Sequence, residues 1–461
     1  MVAGERQLNK GSTSKGILAL TGPLVVSFWL RSAFGWVDPF FAANLHDELG
    51  NLIGDPSMAA IGLTLPFEFL MIACWVGTSN GLTSRLASAM AAGENAKVEQ
   101  LKVAARKITW IMNAVFLLMA TAIWYFAPRL GLNAIVARQF QIYATVVVAG
   151  TAFTSFWSIL PDSIVKAHHD TRTTMWAGIL SASLNVALNT LFTFVLGMGI
   201  FGIAFSTVLG RLSGLAYATI RAHAHERQRM GGDSAKGGDL YTYPMRAILG
   251  IAVPSGLGYV LLAIESQLIN WILVRMPDST SQLAAWSIFD RSARFLAMPL
   301  IAASVAMLPL VARRSGGGDY AGIRRELVTS LRASALYVGF LVWPVAVLLA
   351  PHVAHWLSGE EATKVAAMSA MRMLPLAVLA MIPVLLLRAV CDGLQRPRPA
   401  LVIALVRTFV FVVPLCYLGI QQATQHGYQP VLGAVFGLTI GVAASSLLAV
   451  VAVRQLRILR P

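Results

Sequence analysis

Charged residues are absent from long stretches of the chain, and this pattern predicts membrane-spanning helices. Three stretches without Asp, Glu, Lys or Arg run for 38, 46 and 27 residues, at 173–210, 408–453 and 333–359. A helix that crosses a bilayer needs about 20 apolar residues, so the two longer stretches each have room for two spans joined by a turn. Apolar runs of this length favour a helical bundle over a membrane barrel, whose strands alternate polar and apolar residues.

The apolar runs between turns and charges predict an all-α integral membrane protein with about twelve transmembrane helices. The predicted spans are 16–45, 57–91, 102–128, 137–167, 171–196, 199–222, 245–275, 282–313, 324–350, 363–394, 398–420 and 430–455. Their direction follows from the connections, because 26 Lys and Arg residues fall on the side of both termini and four on the other. The positive-inside rule then predicts that both termini are cytoplasmic, in the inner membrane of a bacterium.

Composition excludes several classes of protein. The chain is 57% hydrophobic and only 12% charged, whereas a soluble domain carries about 25% charged residues. The asymmetric basic connections explain much of the net charge of +15, so no nucleic-acid partner is expected. Cys74, Cys391 and Cys416 lie in apolar runs without metal-ligand spacing. Neither a disulfide framework nor a metal site is therefore predicted.

The chain also contains an internal repeat. The segment from Met58 aligns with the segment from Leu283 at a shift of 225, and Asp162 aligns with Asp392 at a shift of 230. We interpret this pattern as two pseudo-symmetric six-helix halves. The predicted parts are an amino-terminal lobe at 1–222, a cytoplasmic linker at 223–244 and a carboxyl-terminal lobe at 245–461. Six helices return the chain to its starting side, so the halves share one orientation and enclose a cleft between them.

Ionisable groups inside the spans are candidates for function, because each costs about 2.5–3.5 kcal/mol at mid-membrane. Asp38 stands out because the next residue, Pro39, leaves the carbonyl of Gly35 without its helical donor. A carboxylate beside a free carbonyl and a helix kink suits a proton or sodium site, since a buried carboxyl group favours its neutral form. The alternative is a permanent ion pair with Arg31, which lies seven residues earlier on the same helix face.

Four segments carry a resemblance to a known family. WVDPFFAANL, DPSMAAIGL, SLNVALNTLF and GMGIFGIAFSTVLG are similar to segments of the multidrug and toxic compound extrusion transporters, as are the length and the six-plus-six plan. The resemblance implies a secondary antiporter that exports amphipathic or cationic organic compounds by alternating access. It also implies a monomer surrounded by membrane lipid, with no cofactor and no catalytic residue.

The resemblance further implies a cation site in the amino-terminal half. Residue by residue, that site is carried over to Asp38, Asn185, Asn189 and Thr207. The spacing of four residues puts Asn185 and Asn189 on one helix face, as a shared site requires. Many family members have Asp where this chain has Asn189. With one carboxylate fewer, coupling to protons is favoured over coupling to sodium.

In the second half, Glu265 follows Pro254 by eleven residues. Some members of the family pair a Glu of the seventh helix with an Asp of the tenth, but Met381 occupies the matching position here, so no complete second cation site is expected. We expect Glu265 either to contact a cationic substrate or to pair with Arg291, Arg294 or Arg372. The further cavity candidates are Gln267, Asn270, Trp36 and Tyr259.

Other charges inside the spans are candidates for gates or ion pairs. Glu68 lies in the second span, and Asp290, Arg291 and Arg294 lie in the equivalent region of the eighth, which predicts pairing across the lobes. Asp162 and Asp392 lie near the cytoplasmic ends of their helices, where a gate is expected. Arg388 and Asp392 are four residues apart, which predicts a local ion pair.

Two other functions remain open. A lipid or lipid-linked oligosaccharide flippase of the same superfamily would need a cationic cavity, for which the chain offers Arg31, Arg291, Arg294, Arg372, Arg388 and Arg407. A membrane-embedded enzyme would need His, Ser and Asp side chains that converge within the spans. All eight histidines fall in predicted connections, so the chain is not expected to be an enzyme.

Overall fold

The computed structural model describes residues 16–34, 37–46, 53–130, 134–230, 240–276, 278–357 and 361–455. Helices dominate these residues. They are α1 (Ile17–Phe34), α2 (Val37–Ala43), α3 (Gly54–Ala91), α4 (Asn95–Phe126), α5 (Ala134–Phe153), α6 (Ser155–Ala167), α7 (Thr171–Asn189), α8 (Gly199–Met230), α9 (Pro244–Leu273), α10 (Ser279–Gly316), α11 (Tyr320–Tyr337), α12 (Trp343–Leu357), α13 (Glu361–Arg372), α14 (Leu374–Gly393), α15 (Pro397–Val406), α16 (Val413–Gln425) and α17 (Pro430–Gln455).

Three π-helical segments extend or join these helices. Thr190–Val195 extends α7, Val338–Val342 joins α11 to α12, and Arg407–Val412 joins α15 to α16. In the described part of the chain, eleven helical stretches are long and apolar enough to cross a membrane, and α1 adds the shorter apolar helix Ile17–Leu30. The predicted all-α membrane protein with about twelve spans is thereby confirmed.

Several boundaries differ from the expected ones. The helix α8 continues to Met230, so its last turns, with His223 and His225, occupy the first part of the predicted linker. Arg211, counted among the basic residues of a connection, lies well inside α8. The tenth span is broken at Met373, after which Pro375 fits the first turn of α14, where a missing N–H costs nothing.

The first span contributes to both halves of the molecule. Ile17, Leu20 and Leu24 of α1 pack into the apolar cluster formed by the carboxyl-terminal helices. Phe41 and Ala42 of α2 pack instead into the cluster of the amino-terminal helices. The first span therefore passes from one core to the other between α1 and α2, and Asp38 lies on α2, which packs with the amino-terminal half.

The two halves approach each other closely along α3 and α9. A β-carbon added at Gly77 would lie 2.9 Å from the Cα of Gly256, and one at Gly81 would lie 2.6 Å from the carbonyl oxygen of Ile248. Only glycine allows the two backbones this distance. The contact occupies the later half of α3 and the first half of α9, on the side of the bundle where α1 begins; we call this side the terminal face.

Hydrogen bonds also join the halves near the terminal face. Ser84 of α3 donates to the carbonyl oxygen of Asp392 at 2.8 Å, and the backbone N–H of Ile17 donates to the carboxylate of Glu326 at 3.1 Å. Arg85 donates to the carbonyl oxygen of Ala247 at 3.2 Å. These contacts hold the two halves together at the terminal face.

Candidate functional site

Asp38 lies in the first turn of the short helix α2. Pro39 follows it directly, and because residues 35 and 36 lie outside the described part of the chain, the kink expected at Pro39 stays a prediction. Gly35, whose carbonyl was predicted to be free, lies outside the described residues, as does Trp36. The side chain of Arg31 is also outside the described part.

Three side chains donate hydrogen bonds to the carboxylate of Asp38. Thr207 of α8 donates to Oδ2 at 2.8 Å, and the hydroxyl of Tyr143 of α5 donates to the same oxygen at 3.1 Å. Nδ2 of Asn189, at the end of α7, donates to Oδ1 at 3.1 Å. All three donors are neutral groups, so they satisfy the carboxylate without neutralising its charge.

Asn185 reaches this site indirectly. Its Nδ2 donates to Oγ1 of Thr207 at 2.9 Å, and Thr207 in turn donates to Asp38. Asn185 and Asn189 lie one turn apart on α7 and face the same site, as their spacing predicts. Oδ1 of Asn189 is fully buried, and no donor among the described residues reaches it. A carbonyl oxygen next to the carboxylate is thereby left for water or an entering cation.

Sequence reasoning missed two members of this site. Tyr143 is 2% exposed and is one of ten tyrosines, and no motif distinguishes it. Arg211 lies one turn after Thr207 on α8, where its guanidinium donates to Thr151 at 2.6 Å. The positive charge of Arg211 interacts with the carboxylates of Asp38 and Glu68. The spacing of four between Thr207 and Arg211 was the available signal.

The described interactions of Glu68 and Asp290 lie within their own halves, and pairing across the lobes stays a prediction. Glu68 is partly buried on α3, and the charges that act on it, Arg211 and Asp38, belong to its own half. Asp290 of α10 pairs with Arg294, one turn along the same helix, at 2.9 Å. Pairs at this spacing on one helix form locally, without a second helix.

In the carboxyl-terminal half, both carboxylate oxygens of Glu265 are occupied. Nη2 of Arg407 donates to Oε1 at 2.6 Å, and Oγ1 of Thr408 donates to Oε2 at 3.0 Å. Glu265 is 5% exposed and Arg407 is 8% exposed. The expected partners Arg291, Arg294 and Arg372 are therefore replaced by an arginine of the eleventh span, 142 residues away in sequence.

The other cavity candidates do not form hydrogen bonds with Glu265 among those described. Gln267 is exposed and Asn270 is partly buried, on other faces of α9. The ring of Tyr259 lies 4.5 Å from the guanidinium carbon of Arg388, in a cation–π contact.

Arg388 and Asp392 do not form the predicted direct ion pair in the described structure. Both contact Ser255 of α9 instead. Arg388 donates to the carbonyl oxygen of Ser255, and the hydroxyl of Ser255 donates to Oδ2 of Asp392 at 3.0 Å. Asn80 of α3 donates to the Ser255 hydroxyl at 2.8 Å. The chain from Asn80 through Ser255 to Asp392 crosses between the halves.

Asp162, the repeat partner of Asp392, has a different environment. It pairs with Lys166 at 2.5 Å and accepts from Thr174 at 3.2 Å, both within its own half. The repeat therefore conserves an acid at this position but not its partner.

Outside the spans, Asp170 caps the start of α7. Its carboxylate accepts from the backbone N–H of Thr173 at 3.2 Å and lies 2.9 Å from Nε2 of His225. Burial alone would raise the pKa of Asp170, but the hydrogen bonds from Thr173 and His225 outweigh it and hold the pKa at about 2.

Comparisons with known proteins agree with this architecture. The MatE family model matches residues 23–191 and 254–418. A FAD transporter of Shewanella oneidensis is 23% identical over 422 residues, which is 87% of each chain. The probable multidrug resistance protein YoeA of Bacillus subtilis is 20% identical over 361 residues, 74% of this chain and 76% of that protein.

One solved structure with the same fold is described as the outward-facing conformation of a multidrug resistance MATE family transporter of the MOP superfamily. It is 20% identical and superposes with a TM-score of 0.82, over 96% of this chain and 95% of that chain.

Proposed function

Because the chain belongs to the multidrug and toxic compound extrusion family of membrane transporters, we propose that it exports amphipathic organic compounds in exchange for protons. The observation that carries this proposal is the partly buried carboxylate of Asp38, bonded to neutral donors from α5, α7 and α8. One carboxylate thus connects four helices of the amino-terminal half, and a change in its charge acts on all of them.

The arrangement favours a proton over sodium. Both oxygens of Asp38 already accept hydrogen bonds, whereas a sodium ion needs several oxygens that are free to coordinate it. Asn189 offers one amide oxygen and no second negative charge. The nearby guanidinium of Arg211 opposes a metal ion further. A proton needs only one carboxylate oxygen.

Proton binding changes what Asp38 does to its neighbours. The ionised carboxylate accepts from all three donors and holds α2 against the helices that carry them. When a proton binds to one oxygen, that oxygen becomes a donor and a weaker acceptor, so these bonds loosen and α2 is free to move. Coupling follows if the protonated arrangement binds substrate less tightly, because the effects of proton and substrate on each other are reciprocal.

The topology gives this cycle a direction. The asymmetry of basic residues supports cytoplasmic termini, in a bacterial inner membrane. The halves meet near the terminal face, which would be the cytoplasmic side, so the cleft would open outward. Protons would then enter from outside as substrate leaves, and rocking of the halves would reset the single-chain transporter.

The substrate class is proposed to be planar amphipathic compounds, cationic dyes among them. The relatives matched are a FAD transporter and a probable multidrug resistance protein, so flavins are a second class worth testing. A lipid flippase would need free cationic groups in its cavity. Arg388 and Arg407 are engaged with Ser255 and Glu265, and Arg294 is engaged with Asp290, which supports the antiporter.

The test is transport by the purified protein in liposomes. A pH gradient and a sodium gradient are imposed separately, and uptake of a fluorescent cation and of FAD is recorded, with scrambling of a labelled lipid measured in parallel. The proposal expects uptake of at least one solute under the pH gradient and little under the sodium gradient. Solute uptake driven by the sodium gradient alone, or lipid scrambling without solute uptake, would contradict the proposal.

A further inference from the structure

The first helix, α1, is bonded to the carboxyl-terminal half at its start and near its end. At its start, the backbone N–H of Ile17 donates to Oε2 of Glu326 on α11 at 3.1 Å. Near its end, the indole N–H of Trp29 donates to the carbonyl oxygen of Phe295 on α10 at 3.2 Å, and the two rings stack. Because α1 also contacts α7 of its own half, it lies between the two halves.

Glu326 is itself fixed in place by neighbouring groups. It is 8% exposed, and its Oε1 accepts from Nη2 of Arg314 on α10 at 2.8 Å. Arg314 also bonds Asp319, which caps the start of α11 at the backbone N–H of Gly322. The first N–H groups of a helix lack partners within the helix and carry partial positive charge, so a buried carboxylate suits them. We call the contact of Ile17, Glu326 and Arg314 the α1 anchor.

The next helix, α2, is held by the other half of the molecule. Asp38 accepts hydrogen bonds from α5, α7 and α8, and the ring of Phe41 lies 5.2 Å from that of Phe194 between centroids. Phe34 ends α1 and Val37 begins α2, and three residues of chain span at most about 11 Å. The helix α2 can therefore move only a short way before α1 must move with it.

We propose that Glu326 is a positioning residue for transport, which holds the start of α1 so that a change in the charge of Asp38 shifts one half of the molecule against the other. The inference rests on the proposed function, in which Asp38 exchanges the proton. In this role Glu326 binds neither the proton nor the substrate and acts through α1. A rigid helix that is fixed at its far end transmits a displacement, whereas a helix with a free end moves alone.

The amino-terminal half contains a comparable contact that does not lead to Asp38. Nε2 of Gln100 on α4 donates to the carbonyl oxygen of Tyr241 at 2.7 Å, and its Oε1 accepts from the backbone N–H of Tyr241 at 2.9 Å. Tyr241 precedes α9, the first helix of the carboxyl-terminal half. Gln100 is the sixth residue of α4 and Glu326 the seventh of α11, the third span of each half. Each half therefore holds the approach to the first helix of the other, and Gln100 offers a matched control.

The experiment measures the distance between the halves in nanodiscs, with spin labels on the side opposite the terminal face. Leu130 follows α4 and Tyr428 lies between α16 and α17, so they belong to different halves, and they are 58% and 68% exposed. Each is replaced by a labelled cysteine in protein without its three native cysteines. The distance is then compared with and without Asp38→Asn, which mimics the neutral carboxyl group.

With the α1 anchor intact, Asp38→Asn is expected to shift the distance between the labels. Glu326→Leu combined with Arg314→Met removes the acceptor and the ion pair without leaving a buried charge unpaired, and should abolish most of that shift. Glu326→Gln combined with Arg314→Gln keeps an acceptor for the N–H of Ile17 and should retain the shift. Gln100→Leu removes the contact with Tyr241 and should also retain it.

An undiminished shift in the Glu326→Leu/Arg314→Met variant would overturn the inference, as would an equal loss in Gln100→Leu. If that double variant does not fold, Ile17→Pro and Ile17→Ala decide. Both shorten the side chain, but only proline removes the N–H donor, at a helix position where proline is tolerated. Loss of the shift in Ile17→Pro alone supports the α1 anchor, and equal shifts in the two variants overturn it.

Failure of the proposed function gives a different result. No shift on Asp38→Asn with the α1 anchor intact would overturn both this inference and the proposed role of Asp38. An undiminished shift without the anchor would overturn this inference alone and leave the role of Asp38 to the transport assay.

Discussion

Each half contains a carboxylate that accepts hydrogen bonds from neighbouring helices, but the donors differ in charge. Asp38 is partly exposed and bonded only to neutral groups, whereas Glu265 is 5% exposed and bonded to a guanidinium. The charge of a carboxylate with neutral donors is not compensated by those donors, whereas a guanidinium compensates the charge of the carboxylate that it contacts. The difference shows that the hydrogen-bond partners of a carboxylate inside the bundle decide whether its charge is compensated.

The largest expected effect concerns Asp38, in the amino-terminal half. Asp38→Asn should reduce transport driven by a pH gradient to the background of empty liposomes, because the side chain no longer binds a proton. The protein should remain folded, since the amide oxygen still accepts hydrogen bonds. Uptake of fluorescent cation or FAD into liposomes measures the effect.

The matched control is Asp290→Asn, which removes an acid from a partly exposed pair on one helix, a kind of pair worth little. Its transport should stay near that of the unmodified protein. Normal pH-driven transport by well-folded Asp38→Asn would remove Asp38 from the coupling mechanism and end the comparison.

The second effect concerns the stability that the Glu265–Arg407 ion pair gives to the carboxyl-terminal half. Glu265→Gln should lower the free energy of unfolding by about 3–5 kcal/mol, because it leaves the guanidinium of Arg407 buried without its counter-charge. Thermal unfolding in detergent measures the loss. The double variant with Arg407→Gln should recover most of the stability, and Asp38→Asn should lose less. Equal stability of Glu265→Gln and the unmodified protein would show that the ion pair does not stabilise the fold.

A smaller effect sharpens the choice of ion. Asn189→Asp places a second carboxylate next to Asp38, where the unpartnered amide oxygen now lies. An added charge this close should raise sodium affinity by about tenfold or more, because the interaction exceeds 1.4 kcal/mol even at moderate screening. Transport under a sodium gradient is the measurement, with Asn189→Leu as the neutral comparison. Absence of any sodium response in the Asp variant would indicate that Arg211, rather than missing charge, excludes sodium.

The smallest effect concerns how the fifth helix of each half begins. Asp170 caps α7 with its side chain, whereas α15 begins with Arg396 and Pro397 and has no side-chain cap. Asp170→Ala should cost about 1 kcal/mol of stability, and Arg396→Ala much less.

The contribution of Asp170 should also depend on pH. Its pKa of about 2 lies below the value of about 3.9 in an unfolded chain. The stabilisation is therefore present above pH of about 4 and is lost as the pH falls toward about 2. Unfolding curves of the unmodified protein and Asp170→Ala should converge over that range; curves that stay parallel would contradict the role of the ionised cap.

Sequence reasoning found the members of the amino-terminal site that lie in recognisable segments. Asn185 and Asn189 are one turn apart and face Asp38 and Thr207 as their spacing predicts. It missed Tyr143, which no local pattern distinguishes, and it counted Arg211 with the basic residues of a connection although Arg211 lies inside the predicted span 199–222. In the second half it identified Glu265 as exceptional and named the wrong arginines.

The sequence by itself determined the helical membrane fold and the repeat that divides it. This was possible because each span must satisfy its own backbone polar groups in lipid and the connections carry the basic residues. Both features can be recognised from short stretches of sequence. Only the tertiary structure decided which groups meet: Arg407 contacts Glu265, Arg211 contacts Thr151, and Ser255 lies between Arg388 and Asp392. Such pairings depend on how each helix is rotated and which neighbour it packs against, and contacts between residues far apart in sequence set those angles together.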